Sequence, residues 1–206
     1  MKKIIYLLLG VLLITISLAF YTSCKDDNDE TKDVILTEDE KSDLLTLREE
    51  EKLARDVYIY AYNKYGLNLF NNISSSEQTH MSRVLQIMNV YGLDDVASKT
   101  AGVFNNATLQ EFYNSFTAKI DISLLDALIV GATIEDLDIK DIEDFKERTN
   151  KTDILVMYDN LVCGSRNHIR SYYAQIKSNS GSYTPQYISQ EDFDTIIDGS
   201  MENCGQ

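Results

Sequence analysis

The sequence predicts an all-α fold, a bundle of four long helices. The one proline, Pro185, stands near the C-terminus, so the chain before it lacks the strongest helix breaker. Apolar residues recur at helical spacing in four long stretches. The connections between those stretches run short, long, short, which makes two antiparallel hairpins joined by a crossover.

The first helix follows Thr37, whose hydroxyl caps it while Glu40 completes a capping box, and it stops at Gly66. Leu44, Leu47, Ala54 and Tyr58 share its inner face. The second runs from about Asn68 to Tyr91, with Ile73, Val84, Ile87 and Tyr91 inward. Its alternative start is Ser74, because Ser74-x-x-Glu77 also reads as a capping box. Residues 92–122 cross over, with a short amphipathic helix around Thr108 to Ala118. The third helix spans about Ser123 to Arg148 and carries Leu124, Leu128, Gly131 and Ile142 on one stripe. The fourth follows Thr152, directs Leu155, Leu161 and Tyr172 inward, and frays in "KSNSGS". One long crossover between two hairpins is the ferritin-like form of the four-helix bundle.

The N-terminus reads differently. Lys2 and Lys3 precede the apolar run Ile4 to Phe20, the pattern of an export signal over residues 1–23, with an uncleaved membrane anchor as the alternative. Thr22 and Ser23 before Cys24 resemble the lipobox of bacterial lipoproteins, with Tyr21 where leucine is usual. That resemblance implies lipidation at Cys24 and anchoring to an outer membrane or cell surface. The acidic "KDDNDE" opens a tether over residues 24–36. The helical domain then covers 37–198 and a tail covers 199–206. Export permits one disulfide between Cys163 and Cys204, with the pairing left to geometry.

The formal net charge is −14, and removing residues 1–23 takes away two lysines and no acid. So acidic a chain does not suit nucleic acid, whose phosphates reward clustered Lys and Arg.

Each apolar stripe contains polar residues that do not belong in a core. Glu51 lies among Leu47, Ala54 and Tyr58, while Glu77 and His80 lie between Ile73 and Val84. Glu135 and Asp138 interrupt Leu128 and Ile142, and Ser165 and His168 stand between Leu161 and Tyr172. Counted from the hairpin turns these positions lie at similar depth, so they can converge. Buried carboxylates are costly unless a cation neutralises them, which makes Glu51, Glu77, His80, Glu135, Asp138 and His168 candidate metal ligands. Tyr58, Ser165 and Tyr172 would stand behind them. Glu49 and Glu50 flank the stripe and are expected in solvent. Arg166 and Asn167 are expected at the surface or behind His168.

The blocks "LREEEKLARDVY", "ISSSEQTHM", "GATIEDLDI", "NLVCGSRNHIRSYY" and "YTPQYIS" resemble those of an exported ferritin-like family, catalogued as a domain of unknown function. The resemblance implies a di-iron carboxylate centre, with Glu from two helices and Glu-x-x-His from the other two. Ser165 departs from it, standing where the fourth helix should carry Glu; Asp138 is the substitute. The expected cofactor is iron or manganese, one ion or two, acting on oxygen, peroxide or Fe(II). The alternatives are a non-catalytic module that stores metal or binds a partner, and a weaker hydrolase reading with Ser165 and His168 paired.

Overall fold

The computed structural model describes residues 35–205. The export signal, Cys24 and nearly all of the tether lie outside the described residues. Those described form six helices, with no strand among them: α1 (Glu38–Tyr65), α2 (Asn68–Val90), α3 (Ala107–Ile120), α4 (Leu124–Lys146), α5 (Thr152–Ser178) and α6 (Gln190–Asp198). No helix among the described residues is long and apolar enough to cross a membrane.

Local chemistry sets the helix ends. Thr37 accepts from the Glu40 amide and Glu40 returns a bond to the Thr37 amide, so both halves of the capping box form. Asn106, Ser123 and Ser189 cap α3, α4 and α6 with their side chains. The Ser74 alternative for α2 fails. Ser74 lies within the helix and donates to the Asn71 carbonyl instead of capping. The signal for α6, absent from the sequence reading, was Ser189 three residues before Asp192.

α1 packs along α2 and α4 along α5, while α1 also meets α4 and α2 meets α5. Two apolar clusters fill these contacts. One holds Leu44, Leu47, Val84, Met88, Ile142, Ile154 and Leu161. The other holds Val57, Tyr58, Phe70, Ile73, Leu128, Ile169 and Tyr172. The chain meets them in opposite order on α1 and α2, and again on α4 and α5, so each pair is antiparallel. On α1, α2 and α5 the candidates Glu51, Glu77, His80, Ser165 and His168 stand between the two clusters, and on α4 Glu135 and Asp138 stand among the last residues of the second. The inner stripe of α5 differs from expectation at its start. Ile154 is fully buried and Leu155 only partly so, because the stripe continues through Met157 and Tyr158.

Charges on the opposite face of α1 hold the crossover. Arg48 makes a two-pronged bond to Asp95, and Glu49 accepts from the amides of Asn105 and Asn106. Lys52 donates to Asp56 at 2.6 Å and to the carbonyls of Thr100 and Val103, over the face of Phe104. Asp56 accepts from the Gly102 amide. Glu49 is therefore buried, contrary to expectation, because it supplies acceptors at the start of α3. Asp136 does similar work on α4. Its buried carboxylate accepts from Tyr183 Oη and from the amides of Gln186 and Ile188, which docks the segment after α5.

Gly131 lets α4 and α5 approach. A Cβ there would stand 2.3 Å from the ring of Tyr172, which is fully buried. Gly131→Ala is expected to destabilise the protein by about 1–3 kcal/mol, overpacking outweighing the gain in helix propensity. Urea unfolding measures it; an unchanged midpoint would show that Tyr172 moves freely.

The tail returns to α5. Cys163 and Cys204 form a disulfide, Glu202 pairs with Arg166 and Arg170, and Asn167 bonds the Glu202 backbone in both directions. Arg166 and Asn167 thus anchor the tail. Thiol titration of unreduced, denatured protein is expected to find neither Cys163 nor Cys204 free; two reactive thiols from these positions would contradict the bond.

Candidate metal centre

Glu51, Glu77, His80, Glu135 and His168 meet between the two apolar clusters, each at most 8% exposed. Glu77 lies at the middle. His80 Nδ1 is 2.8 Å from Glu77 Oε2 and 3.2 Å from Glu51 Oε2. His168 Nδ1 is 2.9 Å from Glu77 Oε1 and 3.2 Å from Glu135 Oε2. One carboxylate is thus shared by two groups, Glu51–Glu77–His80 and Glu77–Glu135–His168, each compact enough to hold a metal ion. The two imidazole rings stack at 5.6 Å between centroids.

The helices fix these positions by spacing. Glu77 and His80 are one turn apart on α2, so both side chains point to the same side. Gly164 admits the ring of His80 against α5, since a Cβ there would lie 2.7 Å from it. His168 Nε2 meets Ser76 Oγ at 3.1 Å, which leaves Nδ1 facing the carboxylates. Tyr58 donates to Glu135 Oε1 at 2.5 Å and its ring packs against Tyr172. The Tyr172 hydroxyl, like Glu51 Oε1, is buried with no hydrogen-bond partner.

Protons balance the charge of the cluster. Burial pushes the Glu51 carboxyl up to about 8, against the charge of His80 and with that of Glu77. Burial raises Glu135 as well. It also opposes the charge on His168, yet Glu77 and Glu135 outweigh it and hold that imidazole near 10. The same balance lifts His80 well above its ordinary value. Glu77 falls well below the usual carboxylate range, because His168 and His80 overcome its burial.

Each histidine Nδ1 faces two carboxylates. Glu77 Oε1 is close to His168 Nδ1 but outside hydrogen-bond geometry, so proximity there reflects charge and not a formed bond. Buried carboxylate oxygens lacking donors, two imidazole nitrogens aimed at them and a shared central Glu make a donor set suited to first-row divalent metals. Each of the two groups could hold a metal ion.

Asp138 lies outside both groups. The Ser165 hydroxyl lies within hydrogen-bond reach of both its Oδ2 and the Leu161 carbonyl, with one proton to give to either. Ser165 makes no hydrogen bond to His168, so the expected Ser165–His168 pair does not form; His168 meets Ser76 instead. Glu50 was expected in solvent, but burial, with the nearby charges of Asp141 and Asp138, raises its carboxyl well above the usual range. Its Oε2 is sealed because α1 presses it toward α4. Ser76 was not foreseen, and nothing in "SSSEQTH" separates it from its neighbours.

Fold and site together define an all-helical protein with a buried carboxylate and imidazole cluster able to hold metal. The chain belongs to the family described as "Uncharacterized protein domain (DUF2202)", matched over residues 40–200. It is 48% identical over 168 residues to "Uncharacterized protein MJ0754" of Methanocaldococcus jannaschii, spanning 81% of this chain and 91% of that protein. The crystal structure of hypothetical protein MJ0754 from Methanococcus jannaschii is similar at a TM-score of 0.80. Its sequence identity is 47%, covering 82% of this chain and 97% of that one.

Proposed function

We propose that the four long helices form a ferritin-like bundle whose centre holds two iron or manganese ions, one in each Glu/His group. The observation that carries this reading is Glu77, which is shared by both groups and keeps a buried Oε1 without a hydrogen-bond partner. Glu51 and His80 would hold one ion, Glu135 and His168 the other, with Glu77 between. Such ions supply redox chemistry toward dioxygen, peroxide or Fe(II). The chain's own part is orientation and exclusion of water. Tyr58 holds a proton at Glu135 Oε1, Ser76 fixes the His168 ring, and the two apolar clusters close the site above and below.

The proposal extends to export and lipidation at Cys24. The Cys163–Cys204 disulfide supports it, because such bonds persist mainly in oxidising compartments. Cys24→Ala is the direct test, with loss of acyl labelling expected; persisting acylation would contradict it.

Elemental analysis of protein loaded anaerobically with Fe(II) or Mn(II) tests the centre. About two ions per chain are expected from the paired ligand groups. A chain that retains neither metal after desalting contradicts the proposal.

The pH dependence follows from the raised groups. Glu51 and His168 are protonated in the metal-free fold up to about 8 and about 10, against 4.5 and 6.5 without the fold. Their contribution is full below the lower values and is lost as pH rises through the higher ones. Metal-free protein is expected to lose thermal stability between pH 7 and 10, while metal-loaded protein keeps it because cations replace those protons. Parallel declines would contradict the exchange.

A further inference from the structure

We propose that the C-terminal tail, residues 199–205, is a lid latched by the Cys163–Cys204 disulfide over the cavity behind His80 and His168, and that reducing the bond opens this cavity to small solutes. That those solutes include the metal of the centre rests on the reading above.

The cavity has a volume of ≈ 230 Å³, room for several waters at about 30 Å³ each. Three pieces of chain wall it: α2 through Ser76 and Thr79, α5 through Gly164 and Asn167, and the tail through Glu202 and Cys204. It reaches the two imidazoles on the edges turned from the carboxylates, since both Nδ1 atoms face Glu77 and His168 Nε2 meets Ser76. The tail spans from one helix to the other. The Gly205 carbonyl accepts from Arg83 of α2 at 3.2 Å, and a Cβ on Gly205 would stand 2.1 Å from Asn160 Oδ1 of α5. With the tail in place, His80 and His168 are only 4% and 8% exposed.

The tail has no regular secondary structure, so its contacts alone hold it. Glu202 pairs with Arg166 and Arg170, but its side chain is 31% exposed and such pairs contribute little in water. The strong fastening is the disulfide, which joins positions 41 apart in sequence. Cys204 is partly exposed, so a thiol in solution can reach it. A thiolate of a small dithiol attacks Cys204 Sγ and expels Cys163 as a thiolate, which takes a proton. The second thiol of the reductant then displaces Cys204, which takes the other proton. Two electrons and two protons pass to the protein, and the reductant leaves as its own disulfide. Released from its latch, the tail lifts by local opening while the bundle stays folded.

The test labels metal-free protein with diethyl pyrocarbonate at one fixed pH, the modified imidazoles being mapped by mass spectrometry. The chain has two histidines and both line this cavity, so each reports on it directly. Reduced wild type and Cys204→Ser are each expected to label faster than oxidised wild type by at least about tenfold, a modest share of what cutting a disulfide usually costs. Their helical circular dichroism should stay near that of oxidised wild type, and reoxidation of the reduced protein should restore slow labelling. Equal labelling in all three, whether fast or slow, overturns the latch. Faster labelling with loss of the helical signal also overturns it, because the bond would then hold the bundle and not the tail. No metal enters this experiment, so failure of the latch leaves the metal-centre reading standing, and a chain that binds no metal leaves the latch to the labelling.

Discussion

Glu77→Gln is expected to lower metal affinity by at least about a hundredfold while the helical circular dichroism signal stays near wild type. The reason is its position. Glu77 is within 2.9 Å of both histidine nitrogens and is the only carboxylate common to the two groups. Loss of a residue behind a ligand commonly costs 10–100-fold in affinity, so loss of a shared ligand is expected to reach at least the upper end of that range. His80→Ala should act in the same direction but spare the Glu135–His168 side, retaining about one ion. Elemental analysis with the far-ultraviolet spectrum separates loss of metal from loss of fold. Full metal content in both variants would make Glu77 and His80 packing residues.

Lys52→Met is expected to destabilise the protein by about 3–5 kcal/mol, the usual consequence of leaving one charge of a buried pair alone. Lys52 and Asp56 have side chains 0% and 1% exposed, and Lys52 also satisfies the carbonyls of Thr100 and Val103. Arg55 still reaches Asp56, which places the loss nearer the lower value. Lys140→Met breaks the pair with Asp144, but both partners are nearly half exposed, so about 0–1 kcal/mol is expected. Urea unfolding of the two variants compares them directly. Equal midpoints would mean that the crossover does not depend on α1.

The helices were legible because they obey local rules. Capping boxes, helical spacing and glycine stops place α1, α2, α4 and α5 within a few residues of their observed ends. The convergence of Glu51, Glu77, His80, Glu135 and His168 was legible for a related reason: polar residues on an apolar stripe betray themselves by period. Residues off that stripe were not. Glu49, Lys52 and Asp56 look like the solvated face of α1, and only the return of residues 95–106 across that face gives them partners. Glu50 and Asp138 lie at the border of stripe and surface, where spacing alone cannot distinguish a ligand from a neighbour. Asp136 shows the same limit: its partners arrive from residues 183–188, some fifty positions later.

The central claim is that two cations sit on either side of Glu77. Anomalous difference maps from a crystal loaded with Mn(II) or Fe(II), collected at the metal's absorption edge, test it most directly. Two peaks are expected, one beside Nδ1 of His80 and one beside Nδ1 of His168, with Glu77 touching both. A map without density between these five side chains, from a crystal whose metal content is confirmed elsewhere on the surface, would contradict the account.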